Sequence, residues 1–266
     1  MNYAGPPGVL RTIAELQYGA QTTGTIIKAG AWLVERRAWT TKELVDHLCG
    51  LVSPRIAVEK SPVTSSNMAF LQRTYSYYPD AYYLHLTRHP IPSRDSMAEF
   101  FGKHNENRSG RTHSRSVDFD PLLVWYRMNR NIMQFTAKLP TGQVMRVKGE
   151  EILSEPDRYL PQIAEWLGVR TDRAAIEGMK HPENSPYACV GPAPARGGND
   201  VKFMRSPALR EGRVREPSLR EVLAKHEIAW VSEERRNGFR EAGFDFRPER
   251  EIALEIEGMA LCFGYQ

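Results

Sequence analysis

Cysteine is scarce in this chain: Cys49, Cys189 and Cys262 are the only three among 266 residues, and they lie far apart. So sparse and odd a set excludes a disulfide-stapled scaffold and a cysteine-based zinc cluster. It points to a reducing compartment, and a cytoplasmic protein is expected. No run of about 18 apolar residues occurs, which excludes a membrane-spanning helix. The opening MNYAGPPGVLR lacks the charged start and apolar core of a secretory signal. Internal repeats and low-complexity segments are also missing. Neither sign of charge dominates: Lys+Arg total 36 against Asp+Glu 32, a formal charge of +4. That excess is too small to mark a nucleic-acid binder, though it suits an anionic small-molecule ligand. The 7 histidines show no metal-ligand spacing, so no metal is implied. What remains, 41% hydrophobic and 26% charged residues, is ordinary for a globular protein and excludes a disordered or collagen-like chain.

Hydrophobic periodicity predicts helices and strands in alternation. Residues 1–24, rich in Gly, Pro and Thr, form a weak start. A helix is expected from Thr25 to Arg37. A second follows, with Thr40 or Thr41 as its cap, Glu43 in its first turn, Leu44, Val45 and Leu48 on its apolar face, and Gly50 as its stop. RIAVEKSP (55–62) is a short β-branched run ended by Ser-Pro and reads as a strand. After a helix over 66–78, YYLHLTR (82–88) is the clearest strand, and it meets Pro90 at the start of a turn or helix. A helix is expected over 93–103 and a polar, basic loop over 104–118. A further helix, about 121–138, carries Trp125, Met128, Ile132 and Phe135 on one face. A strand over 144–148 and a helix over 156–167, stopped by Gly168, complete the pattern. Residues 181–215 are loop-rich, and 217–242 and 248–263 read as helical.

Strands separated by helices predict an α/β fold with a parallel sheet flanked by helices, and ligands beyond the carboxyl ends of its strands. The chain reads as a single domain over 1–266. Residues 1–54 form a helical N-terminal part, 55–170 a βαβ core, and 171–266 a loop-rich and helical C-terminal part.

Two strand ends carry suggestive chemistry. Arg88 closes one strand, and Ser96 stands eight residues later, about one turn into the next helix. A strand–turn–helix can bring such residues to one phosphate, with the guanidinium giving a bidentate contact and the hydroxyl a further donor. The same spacing also fits an Arg88 that caps a helix or pairs with an acid. At the other strand end, Glu59 can accept a proton from an attacking hydroxyl, and Lys60 can neutralise a transferring anionic group. A surface ion pair there is the alternative. His85 and His89 are rival bases.

YPDA (78–81) followed by YYLHLTRHPIPSRDSM (82–97) resembles the sulfotransferase pattern of a strand ending in Arg-x-Pro with a Ser on the next helix. EKSP (59–62), VKGEEILSEPDRYLPQIAEWLGV (147–169) and ALCFGYQ (260–266) resemble further segments of that family, so the likeness covers roughly residues 55–266. It implies a three-layer architecture like that of P-loop NTPases. It also implies transfer of a sulfuryl group from 3′-phosphoadenosine 5′-phosphosulfate, the co-substrate, to a hydroxyl or amine of a small-molecule acceptor. No nucleic-acid partner is implied, and no oligomeric state is fixed. By the resemblance Arg88 and Ser96 hold the 3′-phosphate and Glu59 is the base. APARGGNDVKFMR (193–205), with Arg196, Gly197 and Gly198, resembles in position the late loop that folds over the nucleotide.

Two departures stand out. The family's Lys/Arg-x-Gly-Thr-Thr loop, which cradles the 5′-phosphosulfate, is not found. The nearest segment, GAQTTGT (19–25), contains no Lys or Arg, and the expectation is a chain that starts after that loop. Gly149 stands where the family usually has Tyr. A non-catalytic nucleotide-binding module that keeps only the 3′-phosphate site is therefore the alternative reading.

Overall fold

The computed structural model describes residues 7–106, 121–197, 201–212, 214, 216–218 and 249–265. The chain forms two compact units, each built from two separate stretches: residues 1–61 with 170–210, and residues 62–169 with 211–266. No helix among the described residues is long and apolar enough to cross a membrane.

The first unit is helical. The expected weak start is instead helix α1 (Pro7–Tyr18), which buries Leu10, Ile13 and Ala14 at spacings of three and four. Gly and Pro at its margins hide this face from a composition reading. Gly19, at φ 71°, ends the helix in the left-handed region that favours glycine. Helix α2 (Thr23–Glu35) then starts from a capping box, in which the Thr22 side chain accepts from Thr25 N–H and the Thr25 hydroxyl meets the Thr22 backbone. GAQTTGT therefore joins α1 to the start of α2, and its Thr22 and Thr25 hydroxyls serve the cap. Helix α3 (Thr41–Val52) is capped by Thr40 with Glu43 in the same reciprocal arrangement. Leu10, Ile13, Ile26, Ala29, Trp32 and Ala195 form the core of this unit.

The strand expected over 55–62 does not form. Residues 55–61 run without regular structure and are exposed, with Val58 at 85%. β-branched residues alone do not make a strand: each needs a neighbouring strand for its N–H and C=O groups, and none of the described residues pairs with this segment. Farther along, α9 (Arg173–Met179) and α10 (Val201–Arg205) belong to the same unit.

The second unit carries the parallel sheet. Its order is α4 (Met68–Tyr77), β1 (Tyr83–Thr87), α5 (Pro90–Glu106), α6 (Pro121–Thr136), β2 (Val144–Lys148), α7 (Gly149–Ser154), α8 (Pro156–Trp166) and α11 (Glu249–Cys262). Strands β1 and β2 pair in parallel, from Tyr83 opposite Val144 to Thr87 opposite Lys148. Helix α5 begins earlier than expected, at Pro90, because proline at the first helical position loses no hydrogen bond. It also runs into the segment expected to be loop; residues 107–120 lie outside the described residues, as does most of the helix expected over 217–242. Gly168 stops α8 with φ 66°. Ile91, Leu122, Trp125, Ile256, Ala260, Phe263 and Tyr265 form the core, joining α5 and α6 to α11 and the turn after it.

Strand β1 reverses the usual burial pattern. His85 and Thr87 are buried, whereas Leu84 and Leu86 are 43% and 56% exposed. Burying a polar side chain is tolerated only where it finds a partner. His85 Nε2 lies 2.8 Å from Asn129 Oδ1 on α6, and Thr87 Oγ1 lies 3.2 Å from the Tyr265 hydroxyl.

Candidate functional site

The carboxyl ends of β1 and β2 are joined by a buried polar node. Its first part is the turn from β1 into α5. The His89 carbonyl accepts Ser93 N–H at 3.1 Å, and its imidazole Nδ1 accepts Ile91 N–H at 3.2 Å. His89 thus caps α5 in the way a shorter polar side chain normally does. Because Nδ1 accepts, the ring proton sits on Nε2, a buried atom on the side of the Pro217 carbonyl.

The second part comes from β2 and α7. Glu150, 6% exposed, follows Gly149 in the first turn of α7, where the N-terminal helix dipole favours a carboxylate. Its Oε1 accepts His89 N–H and its Oε2 accepts the Tyr265 hydroxyl, each at 2.9 Å. A Cβ on Gly149 would stand 3.3 Å from the Thr87 carbonyl, so this close approach of β1 to α7 suits glycine.

The third part is the turn after α11. Gly264, at φ 84°, reverses the chain, and Tyr265 N–H returns to the Ala260 carbonyl at 3.0 Å. This helix ending drives the Tyr265 side chain into the node. Lys148 closes the node from the strand side. Its Nζ lies 2.7 Å from Glu216 Oε1 and 3.1 Å from the Gly264 carbonyl, and it stands 4.4 Å from the Tyr265 ring centroid. Burial is the main cause that pushes the Tyr265 phenol far above its usual range. The hydroxyl keeps its proton and donates it to Glu150.

Burial likewise holds both imidazoles below the ordinary histidine range. For His85 the Asn129 hydrogen bond opposes that trend and the Arg146 cation adds to it. For His89 the charges of Glu216 and Glu150 and the Pro217 carbonyl oppose it, while Lys148 adds to it. The unfolded chain therefore takes up protons on these side chains at a higher pH than the folded chain does. Stability is complete above about pH 6.5 and is lost as the pH falls below that value, with a slope of up to about 1.4 kcal/mol per pH unit for each histidine. Urea unfolding from about pH 7.5 down to about pH 5 is expected to show this loss, and His85→Gln to lessen it. A midpoint that stays flat across that range would rule out two neutral buried imidazoles.

Arg88 stands at the edge of this node. Its carbonyl accepts the Trp125 indole N–H at 2.9 Å. Its side chain is exposed, and its guanidinium makes no ion pair or hydrogen bond with any other described residue. Ser96 is exposed on the second turn of α5, and its hydroxyl makes no hydrogen bond with any other described residue. Arg88 as a helix cap or as the partner of an acid is therefore not seen.

The remaining predicted residues lie in the other unit. Glu59 and Lys60 are exposed in the extended segment before Ser61 and make no ion pair with each other. Arg196 is exposed. The N–H of Gly197 donates to the Val190 carbonyl at 3.3 Å, and Gly198 lies outside the described residues. This loop is held by α1: Arg11, 4% exposed, donates to the Tyr187 carbonyl at 3.2 Å and to Gln21 Oε1 at 2.6 Å. Gly191, at φ 77°, fits flush against Arg11, since a Cβ there would stand 3.1 Å from its Cδ.

Sequence reading did not single out Glu150 and Tyr265, the two side chains that tie this node together. Their segments were visible, in VKGEEIL and ALCFGYQ, but nothing local shows that the two meet. Among the rival bases, His85 and His89 are both buried. His85 Nε2 donates to Asn129 Oδ1, which leaves its basic Nδ1 buried, and His89 Nδ1 is engaged with the helix cap, so neither presents an accessible basic nitrogen to an acceptor.

Residues 14–173, more than half of the chain, match the model of the sulfotransferase family. Among solved structures the chain is similar to the sulfotransferase domain from the curacin biosynthetic pathway, at 18% identity and a TM-score of 0.59, covering 100% of this chain and 81% of that one. It is also similar to the sulfotransferase domain from the Synechococcus PCC 7002 olefin synthase, at 18% identity and a TM-score of 0.56, covering 98% of this chain and 76% of that one. At this identity the likeness shows the fold: a parallel sheet flanked by helices. A search of curated proteins returns no match.

Proposed function

The chain belongs to the sulfotransferase family, a family of transferases, and on that premise we propose that it moves a sulfuryl group from 3′-phosphoadenosine 5′-phosphosulfate to a hydroxyl, or an amine, of a small-molecule acceptor. The observation that carries the donor assignment is Arg88: an exposed guanidinium at the carboxyl end of a parallel strand, without an anionic partner among the described residues, on a main chain fixed from two sides. Arg88 and Ser96 hold the 3′-phosphate of the donor. Arg196, with Gly197 and Gly198, adds a second contact to the nucleotide.

In the transfer step the acceptor oxygen forms a bond to sulfur in line with the bond that breaks, between sulfur and the bridging oxygen of the phosphosulfate. The electron pair of that bond leaves with adenosine 3′,5′-bisphosphate. Glu59 takes the acceptor's proton, and Lys60 offsets the charge carried by the sulfuryl oxygens. Catalysis of this kind depends on positioning and cationic stabilisation, as in phosphoryl transfer.

The test is incubation with donor carrying a radioactive sulfur label and a panel of hydroxyl and amine acceptors. Labelled acceptor and equimolar bisphosphate are expected together. A second reading is supported by GAQTTGT, which forms a helix connection in place of a phosphosulfate cradle. Tight bisphosphate binding with no labelled product from any acceptor would favour that reading, a nucleotide-binding module without transfer.

A further inference from the structure

Resting on the phosphate reading of Arg88, we infer that Trp125 is a positioning residue for that arginine and acts through its main chain. The Arg88 carbonyl and the His89 N–H belong to one peptide plane. Its oxygen accepts the indole N–H of Trp125 at 2.9 Å, and its nitrogen donates to Glu150 Oε1 at 2.9 Å. The plane is thus pinned at both ends by side chains from α6 and α7.

This peptide lies between the last ladder residue of β1, Thr87, and the first residue of α5, Pro90. Neither the sheet nor the helix supplies a partner for the Arg88 carbonyl, so Trp125 does. The tilt of the plane sets ψ of Arg88. That angle fixes how the strand that carries the guanidinium is joined to the helix that carries Ser96. A phosphate gripped by both residues needs that relation settled before it arrives, because rotation of the plane would be arrested only at the expense of binding. Trp125 is 5% exposed, and its ring packs edge-on against Phe263 at 5.9 Å, so the donor itself has little freedom.

The test is a double-mutant cycle read by calorimetry with adenosine 3′,5′-bisphosphate, using the full chain throughout. Trp125→Phe keeps an aromatic ring and removes the N–H. It is expected to weaken binding about fivefold, the worth of one ordinary hydrogen bond. In the Arg88→Ala background the same change is expected to matter by less than about twofold, because the guanidinium it positions is gone. If Trp125→Phe does not fold, benzothienylalanine at position 125 keeps the indole outline, replaces the N–H by sulfur and is expected to give the same cycle. An equal loss in both backgrounds would mark a merely structural tryptophan and overturn the inference. No loss in the otherwise unaltered chain would overturn it too, while the phosphate reading stands so long as Arg88→Ala weakens binding. If Arg88→Ala binds as tightly as the unaltered chain, both fall.

Discussion

Arg88→Ala is expected to weaken adenosine 3′,5′-bisphosphate binding by about tenfold to a hundredfold. A hydrogen bond to a charged group contributes about 1.5–3 kcal/mol, and a bidentate guanidinium–phosphate contact makes two such bonds in a fixed fork. One of them corresponds to about tenfold in affinity. The loss falls on binding with little effect on the fold, since the guanidinium makes no ion pair or hydrogen bond with any other described residue and the substitution leaves in place the main-chain carbonyl that Trp125 holds. Thermal unfolding checks that separation: the melting temperature is expected to move little while the affinity collapses. Arg88→Lys is expected to recover only part of the loss, because an ammonium keeps the charge and lacks the fork. Unchanged calorimetric affinity for Arg88→Ala would remove the arginine from the donor site.

Glu59→Gln is expected to lower turnover by about a hundredfold to ten-thousandfold, the usual range for losing a general base. Donor affinity is expected to change by less than about twofold, because the proton is taken from the acceptor and the donor phosphates are held elsewhere. Glutamine preserves the shape of the side chain, and Glu59 is exposed, so stability is not the cause of the loss. Single-turnover measurement at saturating donor separates the two effects. Full turnover by Glu59→Gln would leave the acceptor to lose its proton directly to solvent, since the ring nitrogens of His85 and His89 are buried.

The parts of the fold visible in the sequence are those with local causes. Thr40 and Glu43 announce a helix start three residues apart, Gly168 announces a stop, and the β-branched and aromatic residues of 83–87 and 144–148 announce strands. The placement of Arg88 just past a strand and of Ser96 on the next helix is visible for the same reason: strand, turn and helix follow one another directly. What the sequence concealed depends on distant partners. His89 reads as a rival base, yet its imidazole caps a helix and its N–H meets a carboxylate 61 residues away. Glu150 reads as one acid among several, yet it is buried because a tyrosine 115 residues later donates to it. His85 and Thr87 alternate with leucines, and hydropathy alone turns the leucines inward. The reverse holds because Asn129 and Tyr265 supply hydrogen bonds. The strand expected over 55–62 fails on the same ground, since its composition is right and its ladder partner is missing among the described residues.

The interleaving of the two units bears on how the protein is made. Helices α1 to α3 leave the ribosome well before the rest of their unit, residues 170–210, which emerge only after the whole stretch 62–169 has been synthesised. At about 5–20 residues per second, that leaves the early helices packed on one another for several seconds before Ala195 completes their core. Vectorial folding, one module completed before the next begins, is closed to this topology, and neither unit can be dissected out by cutting at a single point.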